Sequence, residues 1–596
     1  MSSRLSTTRA GRAAIACGLA TAATIALAAG PALAAPGSNG RDHKPKPGHG
    51  RGYQVPVQIL GINDFHGALE APSGSGGVVT NADGTTPPAG GAEYLATHLA
   101  NARKTAHGPS LTVSVGDNIG GTPFLSQAFY DEPTIEALNH MGVTASAVGN
   151  HELDHGWAEL ARMADGGCLK NDPATAKVSC ATQHYQGAKF DYLAANIKDS
   201  EGNEFAPYAI RKINGVKVAF IGLTLKGAPD IVSAAGIKTL TFQDEVAAGN
   251  RTARMLKAKG VNAMVALVHQ GGTSPSPAWT YTCGNGSTIT GDIVPIAKGL
   301  VSDIDVVMSS HSHNTYVCDI PDPLGKPRLV TQAGNNGRLF AEIDATFDRR
   351  SGDFDRKSIT ATNHVVTRDV PKDAAITKLI ASYKERVKPI ASAKVADITA
   401  DIKADRNATG STPMGNLIAD AQLTDPSVVN AGKTPQIAFM NPGGIRADLT
   451  YAAASGEGAG VVTYEEAFSV QPFGNYVVAM DMTGQQIYDL LGQQWSGSYP
   501  KILQVSKGFS YEYTLDAAGK GTIVPGSVIL AGKPVDKGAT YRVVANSFLS
   551  DGGDGFAAFK AATNKYQGGL DIDAFTRFLA VNTPYSPLAE SRIVRK

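Results

Sequence analysis

The sequence has no excess of either charge, with 54 lysine and arginine residues against 53 aspartate and glutamate residues in a chain of 596. A protein that binds a nucleic-acid polymer needs a surplus of basic surface. The composition therefore argues against a nucleic-acid polymer as partner. A single nucleotide needs only a few placed cations, so it remains a possible ligand. Because one hydrophobic core cannot serve a chain of this length, two or more domains are expected.

Cysteine is scarce, and no Cys-x-x-Cys pair is present. The absence of such a pair argues against the alternative of a zinc site made of four thiolates. Cys17 falls in the N-terminal segment discussed next, and the remaining four cysteines form an even set, which predicts two disulfides in an exported chain. Three pairings are possible. We expect Cys168–Cys180, which encloses a short loop, and Cys283–Cys318.

The C-terminal end has no apolar tail and no cell-wall sorting motif. At the N-terminus, three arginines precede an apolar stretch and the small-residue sequence Ala32-Leu33-Ala34, an order typical of a cleavable signal peptide, here residues 1–34. An uncleaved membrane anchor is the alternative, but the stretch is rich in alanine and weakly hydrophobic for a span. We therefore expect a secreted protein without a stable membrane anchor. Residues 35–52, rich in proline, glycine, lysine and histidine, are predicted to be a flexible spacer.

Short β-rich runs alternate with helical stretches over residues 53–365, which indicates an α/β domain whose sheets are covered by helices. Residues 366–394 are predicted to form a connecting helix and hinge. A second domain with its own helices and strands is predicted over residues 395–596. The main β-rich runs of the first domain are Val55–Ile62, Leu111–Val115, Val216–Leu223, Ala263–Val268 and Ile304–Met308.

Polar residues gather just after several of these strands, where open α/β sheets place their sites. Each cluster alone resembles an ordinary turn. Together they supply the carboxylate, amide and imidazole groups that divalent ions such as Zn, Mn, Fe or Co prefer, and one shared carboxylate can hold two ions about 3.5–4 Å apart. The clusters are Asp64-Phe65-His66, Gly116-Asp117, Gly149-Asn150-His151-Glu152, His269 and His311-Ser312-His313.

This order of motifs resembles the calcineurin-like metallophosphoesterases, and the longer form Gly149-Asn150-His151-Glu152-Leu153-Asp154 resembles their 5'-nucleotidase and 2',3'-cyclic-nucleotide phosphodiesterase branch. The resemblance implies a four-layer α/β/β/α sandwich for the first domain. Ser310 departs from the family pattern, in which glycine is common at this position. The implied ligands are Asp64, His66, Asp117 and His313 for one ion and Asp117, Asn150, His269 and His311 for the other, with Asp117 bridging.

The resemblance also implies a mechanism, in which a hydroxide shared by the two metal ions attacks phosphorus in line with the leaving oxygen. His151 is similar to the family's catalytic histidine, which stabilises the developing charge or helps the leaving group. Asp154 would hold the imidazole of His151 in its protonated form. The alternative is that Asp154 caps the helix that follows.

The second domain carries motifs that resemble the α+β substrate-binding domain of 5'-nucleotidases, among them Asn441-Pro442-Gly443-Gly444-Ile445-Arg446. The resemblance implies that Arg406 and Arg446 contact phosphate or sugar oxygens. It implies that Phe473 and Phe548 sandwich the base, because stacking on aromatic rings tolerates many bases. Asp554 would accept hydrogen bonds from the ribose hydroxyls. Further polar contacts would come from Asn441 and Asn475.

The sequence thus predicts a secreted two-metal phosphoesterase that hydrolyses nucleoside 5'-monophosphates to nucleosides and phosphate. Relatives also cleave 2',3'-cyclic nucleotides and nucleotide sugars, and the sequence does not separate these substrates. Because the metals and the base are bound by different domains, we expect domain closure about residues 365–400. A thiosulfohydrolase on the same plan is one alternative, which the Phe473 and Phe548 pair disfavours. An exported binding protein without activity is another, which the intact ligand set disfavours.

Overall fold

The computed structural model describes residues 53–596 except 73–76, 109, 171–176, 203, 214, 233, 277, 285–287, 454–456, 498 and 589–590. The signal peptide and the spacer predicted from the sequence lie outside the described residues, as does Cys17. Among the helices of the described residues, none combines the length and the apolar character that a membrane crossing needs.

The first domain contains two large sheets and the helices that cover them. Its strands are β1 Gln54–Ile62, β2 Ser110–Ser114, β3 Val143–Ala147, β4 Asp191–Leu193, β5 Ile197–Asp199, β6 Tyr208–Ile213, β7 Val216–Thr224, β8 Leu240–Phe242, β9 Met264–His269, β10 Val306–Ser309, β11 Thr315–Pro321, β12 Pro327–Ala333, β13 Leu339–Asp348 and β14 Asp353–Val365. Its helices are α1 Ala92–Thr105, α2 Phe124–Gln127, α3 Glu132–His140, α4 Trp157–Asp165, α5 Ala234–Ile237, α6 Glu245–Ala258 and α7 Ile293–Gly299.

In the part of the chain that the structure describes, one large sheet has the strand order β14-β13-β1-β2-β3-β4 and the other has the order β11-β12-β10-β9-β7-β6. The central strands are parallel to their neighbours, which are β1, β2, β3 and β4 in the first sheet and β7, β9, β10 and β12 in the second. Antiparallel strands flank them at the edges. The parallel arrangement gathers the carboxyl ends of the central strands at one edge of each sheet.

The two sheets face each other across an apolar core. On β1, Val57 and Ile59 belong to this core, whereas Leu60 and Ile62 belong to the core on the opposite face, together with residues of α1, α3 and α4. The second sheet is divided in the same way, and its outer face packs against α6 and α7. Because successive side chains of a strand point to opposite faces, each sheet is covered on both sides. The four-layer α/β/β/α sandwich implied by the sequence is confirmed.

A long helix, α8 Ala374–Ala391, leads out of the first domain. The sequence predicts a connecting helix within residues 366–394, and α8 lies inside these bounds. The helix begins at Ala374 because the side chain of Asp373 accepts hydrogen bonds from the backbone amides of Ala375 and Ile376 and so caps its first turn.

The second domain is built on a mixed sheet with the order β19-β16-β24-β18-β25. Helices α9 and α13 cover one face of it, and α11 and α12 cover the other, so the predicted α+β class is confirmed. The strands are β15 Lys394–Asp397, β16 Ile437–Met440, β17 Val461–Thr463, β18 Tyr476–Thr483, β19 Gln504–Val505, β20 Phe509–Leu515, β21 Gly521–Ile523, β22 Ile529–Leu530, β23 Lys533–Pro534, β24 Thr540–Asn546, β25 Thr563–Leu570 and β26 Ile593–Arg595. The helices are α9 Pro413–Thr424, α10 Tyr464–Val470, α11 Gly484–Gln493, α12 Ser547–Ser550 and α13 Asp571–Val581.

Two disulfides link the four cysteines of the described residues. Cys168 is bonded to Cys180, and their Cα atoms are 5.5 Å apart. Cys283 is bonded to Cys318, with a Cα separation of 4.8 Å. This is the pairing expected from the sequence, and it closes one loop of the first domain and fastens another to the edge strand β11.

Candidate functional site

The carboxyl ends of the central strands bring all the predicted metal ligands together at one edge of the sandwich. Side chains from the first sheet are buried, and the two histidines after β10 are half-buried. The predicted ligands are Asp64 and His66 after β1, Asp117 after β2, Asn150 after β3, His269 at the end of β9, and His311 and His313 after β10.

Several of these residues have backbone conformations that L-amino acids rarely adopt. Positive φ angles occur at Asp64, His66, Asp117, His311 and His313, with values of 48°, 45°, 50°, 71° and 57°. Each such residue costs about 1–2 kcal/mol in local strain, which persists only where the surroundings fix it. Strain concentrated on the predicted ligands is the pattern expected of a functional site.

One group of predicted ligands consists of Asp64, His66 and His313, whose ligand atoms all lie within 4.8 Å of one another. The Nε2 atoms of the two imidazoles are 3.2 Å apart, and His313 Nε2 lies 3.7 Å from Asp64 Oδ1. The Nδ1 atom of His66 is 2.9 Å from the carbonyl oxygen of Gly120. Because a carbonyl can only accept, Nδ1 carries the proton and Nε2 presents its lone pair to the group.

A second group consists of Asp117, His269 and His311, also within 4.8 Å. His269 Nε2 lies 3.1 Å from Asp117 Oδ2 and 3.1 Å from Asn150 Oδ1. Its Nδ1 atom lies 2.7 Å from the carbonyl oxygen of Val115 and therefore donates there. The other oxygen of Asp117 accepts from a backbone amide, and Oδ2 is also 3.8 Å from His66 Nε2, so this carboxylate stands between the two groups.

The donor set fits two divalent cations. In both groups an imidazole is oriented by a backbone carbonyl on its Nδ1 side, as is usual for metal-binding histidines. Its Nε2 lone pair then converges with carboxylate and amide oxygens, which are acceptors as well. A bound cation would accept electron pairs from several of these nitrogen and oxygen atoms at once. Nitrogen and oxygen ligands of this kind suit Zn, Mn, Fe or Co.

Burial and mutual proximity shift the pKa values of several of these protein groups. Burial raises the pKa of the Asp64 carboxyl to about 6, with the neighbouring Asp117 carboxylate adding to the rise. Burial also lowers the pKa of His311 to about 3. At His269 burial opposes protonation, but the adjacent Asp117 outweighs it and raises the pKa of the imidazole to about 9. The opposite charges of these neighbouring acids and bases offset only part of the free-energy cost of burying them.

Three residues outside the predicted ligand set support the ligands. Ser310 Oγ donates to Asp64 Oδ2 at 2.9 Å and lies 3.1 Å from His269 Nδ1, so it touches one member of each group. Glu152 accepts from the backbone amides of residues 117, 118 and 149 at 2.7–2.8 Å. The amide nitrogen of Asn335 lies 3.0 Å from His313 Nδ1. In the sequence, Ser310 is distinguished by its departure from the family pattern. No feature of the sequence marks Asn335 as part of the site.

Gly116 shows how closely the loops approach. It has φ +87°, and a Cβ built there would lie 2.7 Å from the backbone nitrogen of Gly149 and 2.8 Å from His269 Nδ1. A side chain at this position would push apart the loops that carry Asp117 and Asn150. The glycine is therefore required by packing as well as by its backbone angle.

His151 and Asp154 form the pair that the sequence predicts. His151 begins a short 3₁₀ helix, and its Nδ1 lies 2.8 Å from Asp154 Oδ2. Burial opposes protonation of His151, but the carboxylates of Asp154 and Asp117 outweigh it and raise the pKa of the imidazole. The alternative that Asp154 caps the next helix is wrong, because Gly156 occupies the N-cap position of α4.

Residues of the second domain reach this centre. The ring of Phe473 stacks on His151, with centroids 5.7 Å apart and planes inclined by 21°. The guanidinium of Arg446 also lies over the Phe473 ring, 5.7 Å from its centroid. Phe473 also lies against Gly121, where the first domain has no side chain to obstruct it. The structure therefore brings Arg446 and Phe473 to the predicted metal ligands.

The remaining substrate residues form a second cluster in the second domain. Asn441 Nδ2 donates to Asp554 Oδ2 at 2.9 Å, and Asn546 Nδ2 donates to Asn441 Oδ1 at 2.9 Å. Ser547 Oγ lies 3.3 Å from Asn475 Oδ1, and Phe548 packs over Gly553. Within the described residues no ring contact joins Phe473 and Phe548. The base sandwich stays a prediction.

The structure places the side chains of two further basic residues, Arg406 and Lys501, in different surroundings. Arg406 is exposed on the loop before α9, and among the described residues its side chain makes no ion pair. The structure thus does not bring it into the cluster. Lys501, which belongs to no sequence motif, lies 3.0 Å from Asp554 Oδ1 and was missed.

Two family models match the chain, one described as calcineurin-like phosphoesterase over residues 57–315 and one described as 5'-nucleotidase, C-terminal domain, over residues 389–561. A cell wall protein of Listeria monocytogenes is 34% identical over 88% of this chain and 67% of its own length. The chain belongs to the 5'-nucleotidase family. It is a 5'-nucleotidase-type hydrolase that combines a metallophosphoesterase domain with a C-terminal domain, and calcineurin-like metallophosphoesterases use divalent metals.

Other relatives differ in length and name. An endonuclease of Bacillus subtilis is 31% identical over 83% of this chain, but the chain spans only 37% of that protein. A solved 5'-nucleotidase precursor of Thermus thermophilus is 25% identical and superposes with a TM-score of 0.71, covering 91% of this chain and 99% of its own. A sulfate thiohydrolase superposes with a TM-score of 0.65 at 15% identity, which shows the shared fold alone.

Proposed function

We propose that the chain hydrolyses nucleoside 5'-monophosphates to nucleosides and phosphate, using two divalent ions. The observation that carries the proposal is the stacking of Phe473 on His151 with Arg446 beside it, at the predicted metal ligands. An aromatic face and a guanidinium next to a phosphate-activating centre favour a phosphate ester with a planar group. The name 5'-nucleotidase carried by the Thermus thermophilus relative supports the same substrate class.

The ions would be held by the residues of the two groups, one by Asp64, His66, Asp117 and His313 and the other by Asp117, Asn150, His269 and His311. When bound, such ions acidify water and withdraw charge from phosphoryl oxygens. The native metals are proposed to be among Zn, Mn, Co and Fe, in keeping with the mixed nitrogen and oxygen ligands.

The chain's own residues would do the rest. Asp154 accepts from His151 Nδ1 and keeps the imidazole protonated and oriented, so that Nε2 can donate to the phosphoryl group or to the leaving oxygen. Arg446 would pair with phosphate oxygens that the metals leave uncovered. Phe473 would present its ring to the base and exclude water from His151. Asp554, oriented by Asn441, would accept from the ribose hydroxyls.

We also propose that the protein is exported. The signal-like sequence of residues 1–34 and the two disulfides support this location, since disulfides persist in oxidising compartments. The cell wall protein of Listeria monocytogenes is a relative named for an extracellular location, which agrees with the proposal.

The test is an activity panel with protein reconstituted separately with Mn²⁺, Zn²⁺ and Co²⁺. The substrates are AMP, 2',3'-cyclic AMP, a nucleotide sugar, the plain ester ethyl phosphate and a single-stranded oligonucleotide. Because stacking contributes about 1–3 kcal/mol per base, kcat/KM for AMP is expected to exceed that for the plain ester by roughly 5- to 150-fold. D117N is the inactive control.

Three other results of this activity panel would contradict the proposed function. Equal rates on AMP and the plain ester would contradict nucleotide recognition. Preferred cleavage of the oligonucleotide would favour a nuclease, as the name of the Bacillus subtilis relative suggests for that protein. No turnover of any substrate at full metal loading would favour the non-catalytic binding protein.

A further inference from the structure

Asp554 is held in a fixed orientation by a chain of amide side chains. Its backbone has φ 60°, within a short helical turn bounded by Gly553 and Gly555. Asn441 donates to Oδ2, and Asn546 in turn fixes Asn441. The carboxylate is only 13% exposed. Because this carboxylate is shielded from water, its ionised form needs an opposite charge or further hydrogen-bond donors to be stable.

Lys501 supplies that charge. Its Nζ atom lies 3.0 Å from Asp554 Oδ1 and donates to the backbone carbonyl of Asp554 at 3.3 Å. Its own backbone amide donates to the carbonyl of Gln494 at 2.8 Å, and its ammonium lies 5.6 Å from the centroid of Tyr499. The lysine side chain is 18% exposed. This ion pair is therefore more constrained than an exposed one, which would contribute little.

The two partners of Asp554 leave room for a ligand. An ionised carboxylate has about four lone-pair sites. Lys501 occupies one on Oδ1 and Asn441 occupies one on Oδ2, so about two sites remain, one on each oxygen. Two vicinal hydroxyls present two donors at matching separation. The cis-diol of a ribose has this chemistry, whereas a dideoxyribose or a plain phosphate ester lacks it.

We propose that Lys501 is a positioning residue for sugar recognition, holding the carboxylate of Asp554 so that its free lone pairs accept from the 2'- and 3'-hydroxyls of a ribonucleotide. Lys501 thereby sets a preference for ribonucleosides over nucleosides without these hydroxyls. The inference rests on the proposed function, because it takes the substrate to be a nucleotide whose ribose lies at Asp554.

The test measures binding rather than turnover. Isothermal titration calorimetry with metal-free protein compares adenosine with 2',3'-dideoxyadenosine. In the wild type adenosine is expected to bind more tightly. A hydrogen bond to a charged group contributes enough that K501M is expected to reduce the ratio of the two affinities roughly tenfold. K501R, whose guanidinium also pairs with a carboxylate, is expected to restore most of the ratio.

Two controls separate positioning from loss of charge or of structure. K520M removes an equal charge from an exposed lysine near the same loop and is expected to keep the wild-type ratio. D554N and the double variant K501M/D554N are expected to reduce the ratio to the same extent, because Lys501 acts through Asp554. Urea unfolding checks each variant, and K501Q takes the place of K501M if the latter does not fold.

The inference is overturned if K501M keeps the wild-type ratio, if it weakens both nucleosides equally, or if its effect adds to that of D554N. It is also overturned if the wild type binds both nucleosides equally. None of these results bears on whether AMP is hydrolysed. The activity panel with metal-loaded protein decides the proposed function separately, so the two failures are distinguishable.

Discussion

Replacing Gly121 by alanine tests whether Phe473 must reach the predicted metal ligands for efficient nucleotide hydrolysis. Gly121 has φ +55°, and a Cβ at this position would lie 2.9 Å from Phe473 Cε1 and 3.1 Å from Cζ. These separations are too short for carbon atoms in contact, so the methyl group and the ring cannot both keep their places. The ring, which lies at the end of a side chain from the other domain, is expected to move.

The expected loss of activity follows from the contacts that the Phe473 ring would lose. Stacking of Phe473 on His151 is worth about 0.5–1.5 kcal/mol, and the cation–π contact with Arg446 is worth about 0.5–2 kcal/mol. Together they amount to roughly 1–3.5 kcal/mol, which corresponds to about a 5- to 400-fold loss of kcat/KM for AMP. The loss for ethyl phosphate is expected to be smaller, since this ester has no ring that could stack on Phe473.

The control is G260A. Gly260 has φ +71°, and no atom of the described residues lies within 4 Å of a Cβ built there. Both substitutions strain the backbone, but only G121A displaces a ring. Phosphate release at steady state gives kcat/KM, and urea unfolding gives the stability of each variant. A kcat/KM for AMP in G121A within twofold of that in G260A would refute the role given to Phe473.

Two further predictions concern single contacts, and a third concerns the movement of the domains. D154N removes the charged acceptor of His151 Nδ1 and is expected to lower kcat for AMP about 10- to 100-fold with unchanged metal content; an unchanged kcat would show that Asp154 is dispensable. S310A removes the hydroxyl that touches Asp64 and His269 and is expected to weaken metal binding about tenfold in a chelator competition, and equal affinity would contradict a supporting role. A cross-link between α2 and α10, whose Phe124 and Phe468 rings are 5.0 Å apart, is expected to abolish turnover if domains must move, so undiminished rates would remove domain closure from the account.

Much of the first domain could be predicted from the sequence because its signals are local. Apolar runs such as Val55–Ile62 end at Asp64, and the structure places β1 at Gln54–Ile62 with the aspartate two residues beyond it. The same rule predicted that His269 would end a buried strand, as it does in β9. Since parallel strands end at one edge, residues far apart in sequence meet there without any need to know their contacts.

The substrate side was harder to predict because its contacts depend on how loops of two domains meet. The sequence predicts Phe473 as one half of a base sandwich with Phe548, yet it does not reveal that the ring stacks on His151. Arg406 carries the right charge but lies exposed. Lys501 reaches Asp554 from 53 residues earlier in the chain, and no spacing rule connects them. Such contacts follow from tertiary packing, which a motif does not encode.

The measurement that tests the account most directly is the number of divalent ions per chain, determined by mass spectrometry of the metals after reconstitution and gel filtration. The wild type is expected to retain about two ions per chain. Because Asp117 stands between both groups of ligands, D117N is expected to retain one ion at most and to lose hydrolysis of AMP. Two tightly held ions together with full activity in D117N, or none in the wild type, would contradict the two-metal centre.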